Sequence, residues 1–480
     1  MILAGGTGTR FWPLSRELSP KQLLSIFGTE SLVAQAVHRV LPIVESTGGT
    51  TTIVTNERLL DELRNNLAAN GDERMRSVVY LVEPVPRNTA PAIALAAADL
   101  LTRDPEAVMI VLPSDHLLDD GELWQDTIGC AIHLAEDGYL VTVGITPTRP
   151  ETGYGYIEGG ELMSAHKSSS CTPCKVRSFT EKPDLATAER FVSAGSHYWN
   201  AGIFVMRARD VLAGLRAAGG AGPAIAEVCE RTASLPRAEW TSDDARERFA
   251  ALPSAPIDTA LMELAGNVAV IPAPLTWHDV GSFLTLQSVV PADAHGNTRI
   301  GRGVDIETND SIIYSANRLV ATLGMRDAVV IDTADATLVC PKDRCQDVRL
   351  VVDALTAMGA EEVVQPKTSL RPWGSWTSLL SGPGFQIKLL EIKPGCKPSL
   401  QRHEHRSEHW IVVEGNGTVT RNREVIEVPT NESVFLPLGS VHRVENSGGD
   451  MLKIIEVQVG DYLGEDDIIR LQDDWHREGA

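Results

Sequence analysis

Two groups of residues, near opposite ends of the 480-residue chain, have the types and spacings of reactive sites. The first is Leu3-Ala4-Gly5-Gly6-Thr7-Gly8-Thr9-Arg10, followed by Pro20-Lys21-Gln22. A short apolar strand opens here into a glycine-rich turn, where missing Cβ atoms let backbone N–H groups close on phosphate oxygens. Arg10 and Lys21 bring two fixed positive charges to the same place. The turn lacks the Gly-Lys-Ser/Thr ending of a Walker loop. The second group is His403-x-His405 with Glu408 three residues on, then Pro437-x-Gly439-x-x-His442. Residues two apart in a strand face the same way, so His403 and His405 are expected to point together into a barrel. Glu408 and His442 would complete a set of imidazole and carboxylate ligands, suited to zinc or another divalent first-row metal (Co2+, Mn2+, Ni2+, Fe2+). Gln401, Arg406 and His409 are polar groups that could stand beside it.

Between these ends lie single residues with two readings each. Asp115 follows an all-apolar strand, where its carboxylate suits a magnesium ion bridging phosphates or, equally, the N-cap of a helix. In Glu83-Pro84-Val85-Pro86-Arg87-Asn88, Arg87 and Asn88 offer donors to the O6 and N7 acceptors of guanine. The same stretch could be a proline-stiffened helix start. Glu181, Lys182 and Asn200 supply the donors, acceptors and cation that a sugar phosphate needs, although Glu-Lys on a strand is commonly a solvated face. Asp258 and Glu263, five residues apart, do not share a face of an α-helix.

The elements that must position these groups alternate. Thr51–Thr55, Val78–Val82, Ala107–Leu112 and Leu140–Gly144 read as buried strands, with helical patterns such as Ala90–Leu101 between them. That alternation is the pattern of an α/β fold, whose ligands sit beyond the carboxyl ends of the strands. The glycine turn, Glu83–Asn88 and Asp115 all fall there. From His295-Gly296-Asn297 to about Asp353 short β-type segments replace the alternation, as in a small β-helix-like linker with a mechanical or dimer-forming role. From Arg371 onward, β-runs broken by glycine and proline imply an antiparallel double-sheet barrel.

The bulk numbers agree with a multidomain globular protein: 43 % hydrophobic residues, 22 % charged and a net charge of −21. So acidic a chain is repelled by nucleic acid and by acidic membranes, so neither is expected as a partner, and anionic substrates must be held by local basic clusters. No signal-peptide pattern or membrane-length apolar run is read, and a cytoplasmic location is expected. Seven cysteines without regular spacing fit reduced thiols, with Cys171-Thr-Pro-Cys174 as a loop of two incidental thiols.

G-G-x-G-x-R-x-x-P followed by P-K-Q resembles the signature of sugar-1-phosphate nucleotidyltransferases. Gly153–Ile157, Phe179–Pro183, Trp199–Phe204 and Trp277-His278-Asp279-Val280-Gly281-Ser282 resemble the mannose-1-phosphate guanylyltransferase pattern, and Gln401–Trp410 with Gly460–Arg470 resembles the type II phosphomannose isomerase domain. The chain is thereby identified as similar to the bifunctional mannose-1-phosphate guanylyltransferase/mannose-6-phosphate isomerase family. This resemblance implies a Rossmann-like nucleotidyltransferase domain with a mixed, mostly parallel sheet (1–290), a β-helix-like linker (291–365) and a cupin, a double-stranded β-barrel (366–480). It implies nucleotide binding by Leu3, Ala4, Gly5, Gly6, Gly8, Thr9, Glu83, Arg87 and Asn88, and sugar-phosphate binding by Gly155, Glu181, Lys182 and Asn200. Arg10, Lys21, Asp115, Asp279 and Arg470 would be catalytic, with Mg2+ on Asp115 and Asp279. The expected reactants are GTP and mannose 1-phosphate at one end, mannose 6-phosphate and fructose 6-phosphate at the other, and a homodimer is one assembly the linker could form. A transferase whose cupin only binds or oligomerises, or one using another nucleotide, is the alternative. Two departures stand out: relatives have more apolar residues before Leu3, so the natural start is expected upstream of Met1, and Asn431 stands where the second cupin motif has glycine.

Overall fold

The computed structural model describes residues 1–6, 8–118, 121–163 and 171–475; Thr7 of the glycine motif lies outside them. β1 (Ile2–Leu3), β2 (Thr52–Asn56), β3 (Val79–Glu83) and β4 (Val108–Pro113) run parallel in the order β3-β2-β1-β4. They are joined through α1 (Leu32–Thr47), α2 (Glu57–Asn70) and α3 (Thr89–Leu101), each opened by a side-chain cap from Ser31, Asn56 or Asn88. Ile53 and Val111 are fully buried, as expected of a parallel sheet covered by helices on both faces.

The chain continues through β5 (Leu117–Leu118), α4 (Glu122–Glu136), β6 (Leu140–Ile145), the hairpin β7 (Gly155–Leu162) and β8 (Cys174–Glu181), α5 (Leu185–Ala194) and β9 (His197–Arg207). β9 enters antiparallel between β4 and β6, ending the parallel half. After α6 (Ala208–Ala218), α7 (Gly222–Ala233) and α8 (Asp243–Ala250), β10 (Val268–Ala273) lies parallel to β6, β11 (Trp277–His278) pairs with β5, and α9 (Leu286–Val289) follows. The product is one nine-stranded mixed sheet, β3-β2-β1-β4-β9-β6-β10-β8-β7.

Two expectations are corrected in this domain. Cys130 of α4 and Cys171 form a disulfide with Cα atoms 6.8 Å apart, so the thiols are not all reduced. They are 41 residues apart in sequence and meet only through the tertiary fold. Residues 258 and 263 do share a face: the segment Asp258–Met262 is a π-turn, and the Glu263 N–H donates to the Asp258 carbonyl at 2.8 Å. An i→i+5 bond closes a wider turn than the α-helix and brings residues five apart into line.

The linker coils through β12 (Thr298–Ile300), β13 (Gly303–Ile306), β14 (Ile312–Ser315), β15 (Val320–Leu323) and β16 (Ala328–Asp332). Alternate strands stack in parallel, β12-β14-β16 on one face and β13-β15 on the other, as in a short β-helix. β17 (Thr337–Pro341) closes it antiparallel and α10 (Val348–Ala357) follows. The linker is a buttress for the signature loop. Phe11, Trp12, Val280 and Phe283 share one core with Ile312, Val329, Ile331 and Val348. Arg16, buried, pairs with Asp335 at 2.9 Å, and the Glu17 and Leu18 N–H groups donate to Val363 and Val364 carbonyls at 2.9 Å.

The last domain comprises β18 (Thr368–Arg371), β19 (Gly374–Gly382), β20 (Phe385–Ile392), β21 (Leu400–Arg402), β22 (Arg406–Glu414), β23 (Asn416–Arg421), β24 (Glu424–Pro429), β25 (Ser433–Leu436), β26 (His442–Glu445), β27 (Leu452–Gly460) and β28 (Ile469–Gln472). They form a six-stranded sheet, β18-β19-β20-β27-β22-β25, and a five-stranded one, β24-β23-β26-β21-β28. Trp376, Leu390, Trp410, Val444 and Ile454 fill the space between them. Asn431 takes φ +75°, the left-handed conformation for which Asn is the best substitute for glycine. The barrel also docks on α2: Arg371 lies 3.6 Å from Glu62, and the Lys393 ammonium donates to the Ala69 carbonyl at 2.7 Å.

Candidate functional site

The glycine turn is tied from below. The Gln22 amide donates to the Ala4 and Gly6 carbonyls at 3.3 and 3.0 Å, and Ser15 Oγ donates to the Gly8 carbonyl at 2.7 Å. Gly8 has φ +59°, and a Cβ there would stand 2.6 Å from Lys21 Cβ, so the turn and Lys21 can approach only with glycine at this position.

Lys21 is buried, and its ammonium sits between the two predicted carboxylates: 2.7 Å from Asp115 Oδ2 and 3.9 Å from Asp279 Oδ1, donating also to the Val280 carbonyl at 2.6 Å. The pairing of β5 with β11 makes this possible, since it carries the strand ends after β4 and β10 to one place. Burial alone would raise the Asp115 carboxyl, but Lys21 and His116 outweigh it and hold it below the ordinary range. Two carboxylates converging on one cation are a donor set that fits Mg2+.

His116 is not among the residues the sequence singles out. Its Nε2 lies 3.4 Å from Asp279 Oδ1 and 3.9 Å from Asp115 Oδ1. Trp277 Nε1, which can only donate, bonds to His116 Nδ1 at 3.2 Å and so places the neutral ring's proton on Nε2, facing the carboxylates. The adjacency of Pro-Ser-Asp-His to the strand end is the available signal; the Trp277 contact, across 161 residues, is not legible.

Glu83 lies against the turn: a Cβ on Gly5 would be 3.6 Å from Glu83 Oε1. Burial pushes its carboxyl up to about 8, and Oε2 has no hydrogen-bond partner. Arg87 and Asn88 are occupied structurally. Arg87 donates to the Ala250 carbonyl, and Asn88, at φ +71°, accepts from the Thr89 N–H at 2.8 Å as the cap of α3. Their contacts are those of the helix-start reading.

Gly155, Glu181 and Asn200 come together where β7, β8 and β9 meet. Gly155 is opposite Glu181 in register, and a Cβ on it would strike Glu181 Oε2 at 2.7 Å. The Asn200 amide donates to Asp258 Oδ1 at 2.6 Å, and its oxygen accepts from the Gly202 N–H at 3.1 Å. Burial raises the Asp258 carboxyl, and burial together with Asp258 and Glu181 raises Glu263. Lys182, exposed and at φ +45°, pairs with Glu181 at 2.8 Å. Arg10 opens onto a cleft of about 520 Å3 shared with Tyr154, His278, Asp279 and Gln346. Gln346, 3.4 Å from Arg10 Nη1, comes from the linker.

In the barrel, His403, Glu408 and His442 are buried with ligand atoms within 4.8 Å of one another. His403 Nε2 lies 3.1 Å from Glu408 Oε1, and His442 Nε2 lies 3.4 Å from Glu408 Oε2 without forming a hydrogen bond. Burial would raise Glu408, but the imidazoles of His403 and His442 beside it hold it well below the ordinary range. His442 Nδ1 is 2.9 Å from the Ser440 carbonyl, which leaves the orphaned Nε2 as an acceptor. A buried imidazole nitrogen with nothing to bind, beside another imidazole and a carboxylate, fits a divalent metal.

His405 is corrected: it does not join this cluster. Residues 403–405 form a turn between β21 and β22, not a strand, because the Glu404 and His405 N–H groups donate to the Asp467 carboxylate at 3.0 and 3.4 Å. The His405 side chain is half exposed and lies 3.5 Å from Asp461. Gln401 stands at the cluster instead, opposite His442 in register and 3.5 Å from His403 Nε2. His409 turns outward to Ser433, whereas Arg406 is buried against Glu408 at 3.2 Å. A cavity lined by Gln401, Glu408 and Trp376 carries the cations Arg371, Lys388, Arg406, Arg443 and Arg470.

A phosphate-sized turn feeding a lysine between two carboxylates, on a mixed sheet of this order, defines a nucleotidyltransferase, here joined to a cupin with a candidate metal cluster. Residues 1–295 match the family model "Nucleotidyl transferase", 301–355 "MannoseP isomerase/GMP-like beta-helix domain" and 358–473 "Mannose-6-phosphate isomerase C-terminal". The chain is 40 % identical to the xanthan biosynthesis protein XanB of Xanthomonas campestris, over 99 % of this chain and 98 % of that one. It is 38 % identical to the alginate biosynthesis protein AlgA of Pseudomonas aeruginosa (99 % and 97 %) and 37 % to a mannose-1-phosphate guanylyltransferase of Escherichia coli K12 (99 % and 98 %). A crystal structure from Thermus thermophilus, described as a mannose-1-phosphate geranyltransferase, aligns with TM-score 0.62 and 32 % identity, covering 74 % of this chain and 98 % of that one. The chain belongs to the bifunctional mannose-1-phosphate guanylyltransferase/mannose-6-phosphate isomerase family.

Proposed function

We propose that the N-terminal domain transfers GMP from GTP to mannose 1-phosphate, and that the cupin interconverts mannose 6-phosphate and fructose 6-phosphate. The transfer rests on one observation above all: Asp115 and Asp279 converge on the Lys21 ammonium at the foot of the glycine turn. A phosphate oxygen of the sugar phosphate attacks the α-phosphorus of GTP, the new P–O bond forms as the α–β bond breaks, and pyrophosphate leaves with the electron pair. The residues Leu3, Ala4, Gly5, Gly6, Gly8 and Thr9 surround the triphosphate, with Arg10 and Lys21 offsetting charge as it moves to the leaving group. Gly155, Glu181 and Asn200 hold the hexose hydroxyls and Lys182 its phosphate, which aligns the nucleophile. Asp115 and Asp279 would hold Mg2+, which when bound supplies charge neutralisation between phosphates.

Guanine is favoured by Glu83, whose Oε1 lies beside Gly5 and whose buried Oε2 has no partner: as a carboxylate it accepts from the N1–H and N2–H2 donors, which uracil and adenine do not present together. In the cupin, His403, Glu408 and His442 with Gln401 would hold zinc or another divalent metal, which when bound polarises the open-chain carbonyl. The cationic wall of Arg371, Lys388 and Arg470 suits the substrate phosphate. These charged substrates do not cross membranes unaided, and we place the enzyme in the cytoplasm. No described helix is long and apolar enough to cross a membrane. Pyrophosphate release from GTP, ATP, UTP and CTP, each with mannose 1-phosphate and glucose 1-phosphate, tests the first assignment. GTP with mannose 1-phosphate should exceed the other pairs; equal or faster turnover with UTP overturns it. Fructose 6-phosphate formation by the metal-loaded full chain tests the second, and its absence would reduce the cupin to a binding or assembly module.

A further inference from the structure

The inner face of the six-stranded cupin sheet changes character along β20, β27 and β22. Leu390, Ile454 and Val412 stand opposite one another in an apolar row. One step towards the candidate metal cluster the row is Lys388, Glu456 and Trp410, and the next is Gln386, Gln458 and Glu408. Residues two apart on a strand share a face, so Ile454, Glu456 and Gln458 all point into the barrel. Glu456 is 5 % exposed and Gln458 2 %. A carboxylate buried there carries a desolvation cost that a leucine would not, and no part of the fold requires it.

Glu456 is held from both sides by donors that it shares with Glu408. Trp410 Nε1 donates to Glu456 Oε1 at 3.0 Å and to Glu408 Oε2 at 3.1 Å. Gln458 Nε2 donates to Glu456 Oε2 at 2.9 Å and to Glu408 Oε1 at 3.1 Å. Each Glu456 oxygen keeps a lone pair beyond these bonds. Both partners of the Gln458 amide are acceptors, so its nitrogen is identified and its oxygen faces elsewhere. That buried Oε1 has no hydrogen-bond partner, and an orphaned acceptor in a cavity wall is matched by a ligand hydroxyl. Three carboxylates line the cavity. Glu408 faces His403 and His442, and Glu465 is paired with Lys388 at 2.7 Å. Among the described residues Glu456 belongs neither to the metal cluster nor to an ion pair, and its bonds are those from Trp410 and Gln458.

We propose that Glu456 is the base that carries the proton between C2 and C1 of the hexose 6-phosphate, an assignment that rests on the isomerase reading of the cupin. The carboxylate takes the proton from C2 of open-chain mannose 6-phosphate. The C2–H pair becomes the C1–C2 double bond, and the carbonyl π pair moves onto O1. The carboxylic acid so formed then gives its proton to C1, while the O2–H proton passes to O1 and C2 becomes the carbonyl of fructose 6-phosphate. Glu456 ends as it began, and no oxidant or co-reactant is consumed. Gln458 Oε1 accepts from a substrate hydroxyl, which sets the carbon chain against the neighbouring carboxylate.

The test compares Glu456→Gln with Glu456→Asp in the metal-loaded full chain, by fructose 6-phosphate formation at saturating mannose 6-phosphate and by metal content. Gln keeps the size and loses the proton acceptor, whereas Asp keeps the acceptor and withdraws it by one methylene. A positioned base contributes about 10²- to 10⁴-fold, so Glu456→Gln should lose about 10³-fold in kcat with its metal retained. Glu456→Asp should keep at least about tenfold more activity than Glu456→Gln, and guanylyl transfer should be unchanged in both. A Glu456→Gln protein within about tenfold of wild type overturns the assignment. So does one that matches or exceeds Glu456→Asp, or one that loses its metal, since either result would make Glu456 a support for Glu408 acting through Trp410 and Gln458. A metal-loaded wild type that forms no fructose 6-phosphate would instead refute the isomerase reading itself, and this assignment with it.

Discussion

Replacing Lys21 by Met separates two properties that usually fall together. The side chain keeps its length and burial, but the charge between Asp115 (2.7 Å) and Asp279 (3.9 Å) is removed. A unit charge pair about 4 Å apart is worth roughly 4 kcal/mol at an effective dielectric of 20, most of it returned by water and counterions. If only about 1.4 kcal/mol survives, the freed carboxylates should bind Mg2+ about tenfold more tightly in the absence of nucleotide. Turnover should move the other way. Losing one preorganised cation at developing phosphate charge costs on the order of 10²- to 10³-fold. Titration calorimetry of the nucleotide-free protein with magnesium chloride reads the first quantity, and pyrophosphate release at saturating GTP, mannose 1-phosphate and Mg2+ reads the second. A Lys21→Met protein that binds Mg2+ no more tightly than wild type would show that the carboxylates do not form one ion site, and turnover within threefold of wild type would remove Lys21 from the reaction.

His403→Ala should lose the cupin metal and fructose 6-phosphate formation while guanylyl transfer stays within about twofold; metal analysis of the purified protein checks it, and a full metal complement would refute the cluster. Glu83 ionises near 4.5 in an unfolded chain and at about 8 when buried, so the folded state holds a proton that the unfolded state gives up. Its burial therefore costs stability increasingly as pH rises from about 4.5 to about 8, and the nucleotide-free Glu83→Gln protein should show a Tm gain over wild type that is small at pH 5 and grows towards pH 8. A gain that shrinks over that range would contradict the burial argument. Glu62→Gln removes the partner of Arg371 and should raise KM for the sugar 6-phosphate about fivefold, equivalent to about 1 kcal/mol, leaving guanylyl transfer unchanged. An unchanged isomerase KM would mean that the ion pair does not orient Arg371.

Local patterns carried far in this chain, and long-range contacts carried none of their own signal. The core strands lie within a residue of their expected bounds because their centres, Ile53-Val54 and Val111-Leu112, are buried and apolar. Asp115 was legible as a strand-end carboxylate and Asp279 through the resemblance of Trp277–Ser282 to the family motif, but the Lys21 ammonium between them depends on the β5–β11 pairing. The H-x-H spacing misled for His405 because Asp467, 62 residues on, takes the backbone N–H groups that a strand would have used. Asp258 misled because an α-turn was assumed where a π-turn forms. Gln346, Trp277 and Glu62 act across domain or sheet boundaries, where no periodicity reports a neighbour.

The docking of α2 on the barrel bears on how this chain can be divided. The cavity of the cupin has Arg371 in its wall, and the carboxylate beside that arginine belongs to the other domain. A cupin expressed from residue 366 onward would leave Arg371 without Glu62 and Lys393 without its carbonyl acceptor, while the transferase would be left with the uncovered flank of α2. During synthesis the helix that supplies this wall leaves the ribosome first, so the barrel matures against a surface already formed. Mutational drift in either half is thereby constrained by the other, and recombination that exchanges cupins between such chains must carry matching α2 residues to keep Arg371 and Lys393 paired.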